Sequence, residues 1–349
     1  MQDRENANAV VTRKAHDGAR PSIGLALGGG GARGLAHIVM LEAFDELGIK
    51  PKIIAGTSIG AIIGAAYASG LSGAQMREHA HMVLSQRLGL VRDVFAARTR
   101  ALQRLLGLFG TGQPAALLDA RMLLELLMPK SLKRDFDSLD IPMKIVASDF
   151  YDQEQRIFDK GPLIDAVAAS MALPVIFQPV VVGGRALIDG GLTNPLPFDL
   201  LFDEADLVVA IDVSGAPVPD PNRDHPTALE ALFASAFLFE RSIVKEKLKS
   251  AQPDILVPSG TSQFQVLDFL KFDEILQAAE PAKQRLKAQL ARVMAVETLP
   301  TLQEPPERIE ATTAPTEATP KKKKRRGLLK KKTQRQGLSR FIASGRKTP

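Results

Sequence analysis

Short apolar runs alternate with stretches of helical periodicity along residues 23–295 of this chain. A run of about four to eight apolar residues between turn signals predicts a buried strand, and apolar residues three and four apart predict a helix. Strands are predicted at Ile23–Leu27, Lys52–Gly56, Met143–Ser148, Gln155–Phe158, Arg185–Ile188, Leu207–Val213 and Asp254–Val257, and helices at Arg33–Leu47, Ile59–Ser69, Gly73–Arg87, Leu117–Met128, Pro162–Met171, Thr227–Lys249 and Leu267–Ala295. Because strands and helices alternate, we expect an α/β fold with a mostly parallel sheet.

The charge of the chain is unevenly distributed. Of 45 Lys and Arg residues against 39 Asp and Glu, 13 basic residues and no acidic residue fall in 321–349, which leaves a formal charge of −7 on residues 1–320. We therefore expect a disordered arm over 1–20, a globular domain over 21–298, a linker rich in Pro, Thr and Glu over 299–320, and a polybasic tail over 321–349.

Composition and hydropathy limit the redox chemistry and the compartment. The absence of cysteine excludes disulfides, thiolate nucleophiles, iron–sulfur clusters and thiolate zinc sites. Residues 53–76 carry no charge and are long enough to cross a bilayer, but several glycines and a turn motif interrupt them. The N-terminal residues lack the apolar core of a signal peptide. We therefore expect a cytoplasmic protein whose contact with membrane is peripheral, at the inner face.

A glycine-rich loop, Gly28–Gly34, follows the first predicted strand and opens a helix. Glycines in this position leave backbone N–H groups free to converge on one point, with the positive end of the helix dipole behind them. Gly29, Gly31 and Gly34 also match the G-x-G-x-x-G pattern of dinucleotide sites. That alternative is weak because no acidic residue ends the second strand, where a ribose would be bound.

A second motif, Gly56-Thr57-Ser58-Ile59-Gly60, lies between a predicted strand and a predicted helix. A G-x-S-x-G sequence in this context turns the chain sharply and exposes the serine hydroxyl at the edge of the sheet. The N–H group of Ile59 faces the same point and is a candidate oxyanion donor. Ser58 is therefore the candidate nucleophile.

A serine nucleophile requires a base. Asp189 is the favoured candidate because it follows an apolar strand and precedes Gly190 and Gly191, which permit a close approach of the backbone. A triad in the order Ser58, Asp189, His225 is the alternative, because that order is typical of α/β-hydrolases. Asp149, at the end of another predicted strand, either supports the site or caps a turn.

Taken in order, these motifs resemble the patatin-like phospholipase family over residues 23–213. The resemblance rests on the glycine loop with Arg33, the GTSIG motif, the Ala147-Ser148-Asp149 segment, Ala169-Ser170 leading to Pro174, Phe177-Gln178-Pro179, and Asp189-Gly190-Gly191 followed by Asn194-Pro195-Leu196-Pro197. Ser148 and Phe150 stand where the family more often has Thr and Leu, and we expect these departures to affect packing without touching the catalytic pair.

The resemblance implies a three-layer α/β/α sandwich and a Ser–Asp dyad without histidine. It assigns Ser58 as nucleophile and Asp189 as base, and it implies that Gly29, Gly30, Gly31 and Arg33 frame the oxyanion hole. Gly34, Gly56, Gly60, Gly190 and Gly191 are then supporting motif glycines, and neither a metal nor a cofactor is needed. An Asp with its ordinary pKa is a weak base at neutral pH, so we expect Asp189 to be buried.

Two function classes follow. The first is a serine lipid acyl hydrolase that cleaves carboxylic esters of phospholipids or lysophospholipids. The second is a non-catalytic patatin-like regulator or scaffold that binds lipid or a partner through the same cleft.

Two further segments suggest contact with membranes. Residues 91–110 interleave apolar residues at helical spacing with arginines, which is typical of a surface helix or of an interfacial segment. The tail, residues 321–349, is either a solvated charge run or an anchor for an anionic membrane. Nucleic acid is a disfavoured partner because Phe341 is the only aromatic residue of the tail and no folded basic face is predicted.

Overall fold

A computed structural model describes residues 20–86, 118–217 and 224–295. The predictions for the N-terminal arm, for residues 91–110, for the linker and for the polybasic tail lie outside these described residues.

One mixed sheet organises the described residues. Its strands are β1 (Ile23–Leu27), β2 (Ile53–Thr57), β3 (Met143–Asp149), β4 (Gln155–Phe158), β5 (Val180–Val182), β6 (Arg185–Asp189), β7 (Leu207–Asp212) and β8 (Ile255–Pro258). Their order is β5-β6-β3-β2-β1-β7-β8, with β4 also paired to β3. Five neighbouring strands are parallel to one another: β3, β2, β1, β7 and β8. The pairs that involve β4, β5 or β6 are antiparallel. The predicted, mostly parallel sheet is confirmed.

Helices cover both faces of the sheet. They are α1 (Ala36–Glu46), α2 (Ile59–Ala68), α3 (Gly73–Gln86), α4 (Ala120–Leu127), α5 (Leu163–Ser170), α6 (Ala228–Ser250) and α7 (Phe272–Ala295). Leu25, Leu27 and Ile145 point into a large core shared with α1, α2, α3, α4, α5 and α7. The side chains that alternate with them, such as Ala26 and Ala55, face a smaller core closed by α6 and by the short helical segment Phe198–Leu201. The result is the expected three-layer α/β/α sandwich.

Three elements differ from the sequence prediction. The glycine loop runs into a 3-10 helix, Gly31–Leu35, so that regular α-helix begins only at Ala36 rather than at Arg33. Strand β5 was not predicted, because its three residues form too short a run to show a period. Helix α7 begins at Phe272, after a separate 3-10 turn over Phe269–Lys271.

Candidate active site

Ser58 occupies the sharp turn between β2 and α2, with φ 54° and ψ −120°. A non-glycine residue in this conformation is strained, and the neighbouring glycines make the turn possible. A Cβ on Gly60 would lie 2.2 Å from the Leu27 carbonyl oxygen, and one on Gly34 would lie 2.1 Å from Cγ2 of Ile59. Helix α2 therefore begins in direct contact with β1 and with the glycine loop.

The register of strand β3 brings Asp189 to this turn. Val146 of β3 pairs with Thr57, and the next residue, Ala147, pairs with Asp189. Since β4 occupies the other edge of β3, β2 and β6 share one edge and meet end to end. Strand β6 is antiparallel, so both strands terminate at the meeting point, with Ser58 following one and Asp189 ending the other. A Cβ on Gly190 would lie 2.1 Å from the Val146 carbonyl oxygen, so only glycine fits after Asp189.

A direct hydrogen bond joins the two candidate catalytic residues. The Ser58 hydroxyl donates to Oδ2 of Asp189 over 2.7 Å, while Oδ1 accepts the Gly191 N–H group at 2.8 Å. The Asp189 residue is 4% exposed. Burial raises the pKa of Asp189 from its ordinary value of 3.8 to about 6, although the hydrogen bonds from Gly191 and Ser58 oppose this rise. The carboxylate therefore has a greater proton affinity than an exposed aspartate.

The glycine loop lies beside the Ser58 hydroxyl, and its N–H groups differ in their availability. The Gly29 N–H group donates to the Pro195 carbonyl at 2.8 Å, so Gly29 frames the loop without a free donor. Among the described residues no acceptor is found for the N–H groups of Gly30 and Gly31, or for that of Ile59 at the start of α2. These three residues line the cavity next to Ser58.

Two side chains of the adjoining helices hold the loop from behind. His37 is fully buried and its Nε2 donates to the Gly28 carbonyl over 2.8 Å; burial lowers the pKa of His37 to about 4, so the ring is neutral. Arg33 is 3% exposed, donates from Nε to the Gly30 carbonyl at 3.2 Å and stacks on the Phe237 ring. Arg33 thus braces the back of the loop and does not line the cavity.

Polar groups outside the predicted set bond to Ser58 and Asp189. The Ser170 hydroxyl accepts the N–H group of Ser58 at 2.8 Å. The Ser148 hydroxyl bonds to the Asp189 carbonyl oxygen at 2.8 Å. The expectation that Ser148 does not touch the catalytic pair is therefore wrong, because antiparallel pairing carries it alongside Asp189. The motif around Ser170 was visible in the sequence, but its hydrogen bond to Ser58 was not.

Asp149 and His225 do not contact Ser58 or the Asp189 carboxylate in the described residues. The Asp149 carboxylate accepts the N–H groups of Tyr151 and Asp152 at 3.1 Å and pairs with Arg185 at 2.7 Å, so Asp149 caps the turn after β3. His225 is exposed, and no contact joins it to the dyad among the described residues.

An apolar cavity of about 240 Å³ opens from the dyad. Ser58, Asp189 and the glycine loop form its polar end. Its walls come from one side of α2, from α3 and α4, and from the segment between α5 and β5, with Ile62, Val83, Leu123, Leu127, Ile176 and Phe177 as typical lining residues. Such a cavity suits an apolar chain attached to a single reactive polar group.

One acidic side chain at the polar end was not predicted. Glu240 of α6 is 6% exposed and lines the cavity beside Asp189. In the sequence it is one acidic residue in a long amphipathic helix, and nothing in its spacing distinguishes it from a surface residue.

The part of the chain that the structure describes contains no group of three or more His, Asp or Glu residues arranged to hold a metal ion. Within the same residues, no helix combines the length and the apolar character needed to span a bilayer.

Comparisons with known proteins identify the family. An uncharacterised NTE family protein of Mycobacterium tuberculosis is 34% identical over 219 residues, which make up 62% of this chain and 55% of that protein. The patatin-like phospholipase domain-containing protein 7 of Rattus norvegicus is 33% identical over 195 residues, or 55% of this chain and 14% of that protein. The crystal structure of VipD from Legionella pneumophila aligns with a TM-score of 0.43 and 16% identity, over 77% of this chain and 67% of that one.

The chain spans about half the length of its mycobacterial relative. A family model described as patatin-like phospholipase matches residues 25–202, about half of the chain. The chain therefore belongs to the patatin-like phospholipase family.

Proposed function

We propose that this protein is a serine acyl hydrolase of lipid carboxylic esters, with Ser58 as nucleophile and Asp189 as base. The observation that carries the proposal is the 2.7 Å hydrogen bond from the Ser58 hydroxyl to a buried carboxylate at the polar end of an apolar cavity. A hydroxyl becomes an effective nucleophile when a neighbouring base accepts its proton, and burial gives Asp189 the proton affinity that this role requires.

In the proposed acylation step, Oγ of Ser58 bonds to the ester carbonyl carbon while its proton passes to Oδ2 of Asp189. The carbonyl π electrons move to the oxygen, which becomes the oxyanion. Collapse of this intermediate breaks the bond between the acyl carbon and the alcohol oxygen, and Asp189 returns the proton to that oxygen. Water then attacks the acyl-serine, gives a proton to Asp189 and releases the carboxylic acid as Ser58 regains its proton.

The oxyanion requires donors that are already in place. The unoccupied N–H groups of Gly30, Gly31 and Ile59 are the candidates, and the dipole of α2 points its positive end toward them. Arg33 and His37 support this role indirectly, since each fixes a carbonyl group of the loop and so orients the neighbouring N–H groups.

The substrate class follows from the cavity. Its walls are almost entirely apolar beyond the dyad, so a fatty acyl chain is the natural occupant, and a phospholipid or lysophospholipid ester is the proposed substrate. The polybasic residues 321–349 supply a means of holding the enzyme peripherally at an anionic cytoplasmic leaflet, at about 1 kcal/mol for each basic residue near the surface.

The experiment that tests this proposal is labelling by a fluorophosphonate probe, combined with hydrolysis of a soluble ester. We expect both in the wild type, and neither in Ser58→Ala or Asp189→Ala. His225→Ala is the matched control and should keep both. An unlabelled, inactive wild type would favour the non-catalytic scaffold, and an inactive His225→Ala variant would favour the histidine triad.

A further inference from the structure

Glu240 is a buried carboxyl group that the proposed mechanism does not use. It belongs to α6, is 6% exposed and lines the cavity. No hydrogen bond of this carboxyl is found among the described residues, and its oxygens face the cavity. The charge of Arg33 attracts it, and the Nη2 atom of Arg33 is itself buried without a hydrogen-bond partner among these residues. Burying a polar group without a partner costs free energy, so such a group next to a reactive centre points to a partner that arrives with the ligand.

The position of Glu240 is fixed relative to the dyad. A Cβ on Gly191 would lie 2.8 Å from Oε1 of Glu240 and 3.1 Å from Oδ1 of Asp189, so these two oxygens are no more than about 6 Å apart. Two turns farther along α6, Lys247 donates to Oδ1 of Asn194 at 2.6 Å and to the Leu196 carbonyl at 2.9 Å. Helix α6 is thereby attached to the segment that follows Asp189.

The Glu240 carboxyl is neutral at physiological pH. Burial and then the charge of Asp189 raise the pKa of Glu240 to about 8, and the attraction of Arg33 only partly offsets this rise. A neutral carboxyl offers one O–H donor and one carbonyl acceptor, which is the complement of a hydroxyl group.

The side of the dyad on which Glu240 lies determines which part of a substrate it meets. Asp189 must return its proton to the leaving alcohol oxygen, so that oxygen leaves beside Asp189. The oxyanion instead forms at the glycine loop, and the acyl chain occupies the apolar cavity. Glu240 adjoins Asp189 on the side of Oδ1, the oxygen that does not bond to Ser58, and it lines the same cavity as Ser58, so we expect substituents of the leaving alcohol to reach it.

We propose that Glu240 is a specificity-determining residue that binds a hydroxyl group carried by the alcohol part of the ester substrate. This inference rests on the proposed function and adds a substrate requirement to it. A site built to bond a hydroxyl disfavours an analogue that lacks one, because the buried polar groups then remain unpaired.

The test uses three octanoate esters with the full chain: the glycerol monoester, the propyl ester and the dimethyl ether of the glycerol monoester. We expect the wild type to favour the glycerol monoester over the propyl ester by at least about tenfold in kcat/KM. The dimethyl ether should resemble the propyl ester, because it accepts a hydrogen bond but cannot donate one.

Variants of Glu240 separate a binding role from a structural one. Glu240→Gln should keep most of the preference, since a neutral amide also donates and accepts, whereas Glu240→Leu should lose it and still hydrolyse the propyl ester. Glu246→Gln, an exposed change on the same helix, is the matched control. Labelling of Ser58 by a fluorophosphonate reports whether each variant is folded.

The outcomes distinguish the two proposals. A wild type that hydrolyses all three esters equally, or a Glu240→Leu variant that keeps the preference, overturns the role of Glu240 and leaves the dyad intact. Loss of the preference in Glu240→Gln overturns the neutral-carboxyl assignment on which the inference depends. A wild type that neither reacts with the probe nor hydrolyses any ester overturns the proposed function, and the inference falls with it.

Discussion

Replacing Asp189 by Asn should make the protein more stable while it removes the proposed activity. In the wild type, burial opposes ionisation of this carboxyl. Asn keeps the surrounding hydrogen bonds, because its carbonyl oxygen accepts the Gly191 N–H group and its amide donates to the Ser58 hydroxyl. The variant therefore avoids the cost of a buried charge, but it cannot accept a proton from the nucleophile.

The size of the effect follows from the change in pKa between the unfolded and folded states. A rise from 3.8 to about 6 corresponds to roughly 3 kcal/mol of lost folding free energy once Asp189 is ionised in both states. Well below pH 3.8 the carboxyl is protonated in both states and there is no loss. As the pH rises toward 6, the unfolded chain releases its proton first and the wild type loses stability. Above pH 6 the difference is complete, and it corresponds to roughly 6–12 °C in Tm for a domain of this size.

The assay is thermal unfolding of wild type and Asp189→Asn between pH 4 and pH 8, beside ester hydrolysis at pH 7.5. The stability advantage of Asp189→Asn should grow from near zero at the acid end to its full value near neutrality. Asp203→Asn, an exposed control, should leave Tm within about a degree throughout. A variant that melts at or below the wild type at pH 7.5, or an advantage that is the same at pH 4, would show that ionisation of the buried Asp189 does not destabilise the fold.

Three further predictions concern the surroundings of the dyad and the tail. Ser170→Ala removes the acceptor of the Ser58 N–H group and should slow fluorophosphonate labelling about tenfold or more, measured as a second-order rate constant. Gly60→Ala places a Cβ 2.2 Å from a backbone oxygen of β1, so it should abolish labelling and lower Tm steeply. Gly48→Ala is the control: a Cβ there meets no atom within 4 Å, and only the strain of its φ of +63° remains. This control should lower the free energy of unfolding, measured in a urea titration, by about 1 kcal/mol. Deleting residues 321–349 should weaken sedimentation with anionic vesicles at low salt and leave hydrolysis of a soluble ester unchanged; equal binding would contradict the membrane role of the tail.

Most of the strands and helices could be predicted from the sequence, because the elements around the site have recognisable local sequence patterns. The glycine loop and the G-x-S-x-G turn have short-range signatures, and seven of the eight described strands coincide with strands predicted from the sequence. Strand β5 lacked such a run, and the 3-10 start of the first helix follows from how the glycine loop enters it rather than from helical periodicity.

Long-range register accounts for what the sequence could not predict. The family resemblance pairs Ser58 with Asp189, 131 residues away, but it gives no physical reason; the two residues meet because β2 and β6 occupy successive lengths of the same edge of β3. The contact of Ser148 with Asp189 comes from the same pairing, and the site position of Glu240 comes from the path of α6 across Gly191. The contacts of Ser148 and Glu240 leave no periodic trace in the chain, so only the assembled fold reveals them.

The proposed function requires that the acyl group pass through Ser58. Intact-protein mass spectrometry of the full chain, quenched in acid seconds after mixing with a p-nitrophenyl ester and followed by peptide mapping, measures this step. We predict one added acyl group on the peptide that contains Ser58, formed in the wild type and absent in both Ser58→Ala and Asp189→Asn. Ester turnover without this adduct, or with an adduct on another residue, would contradict the account.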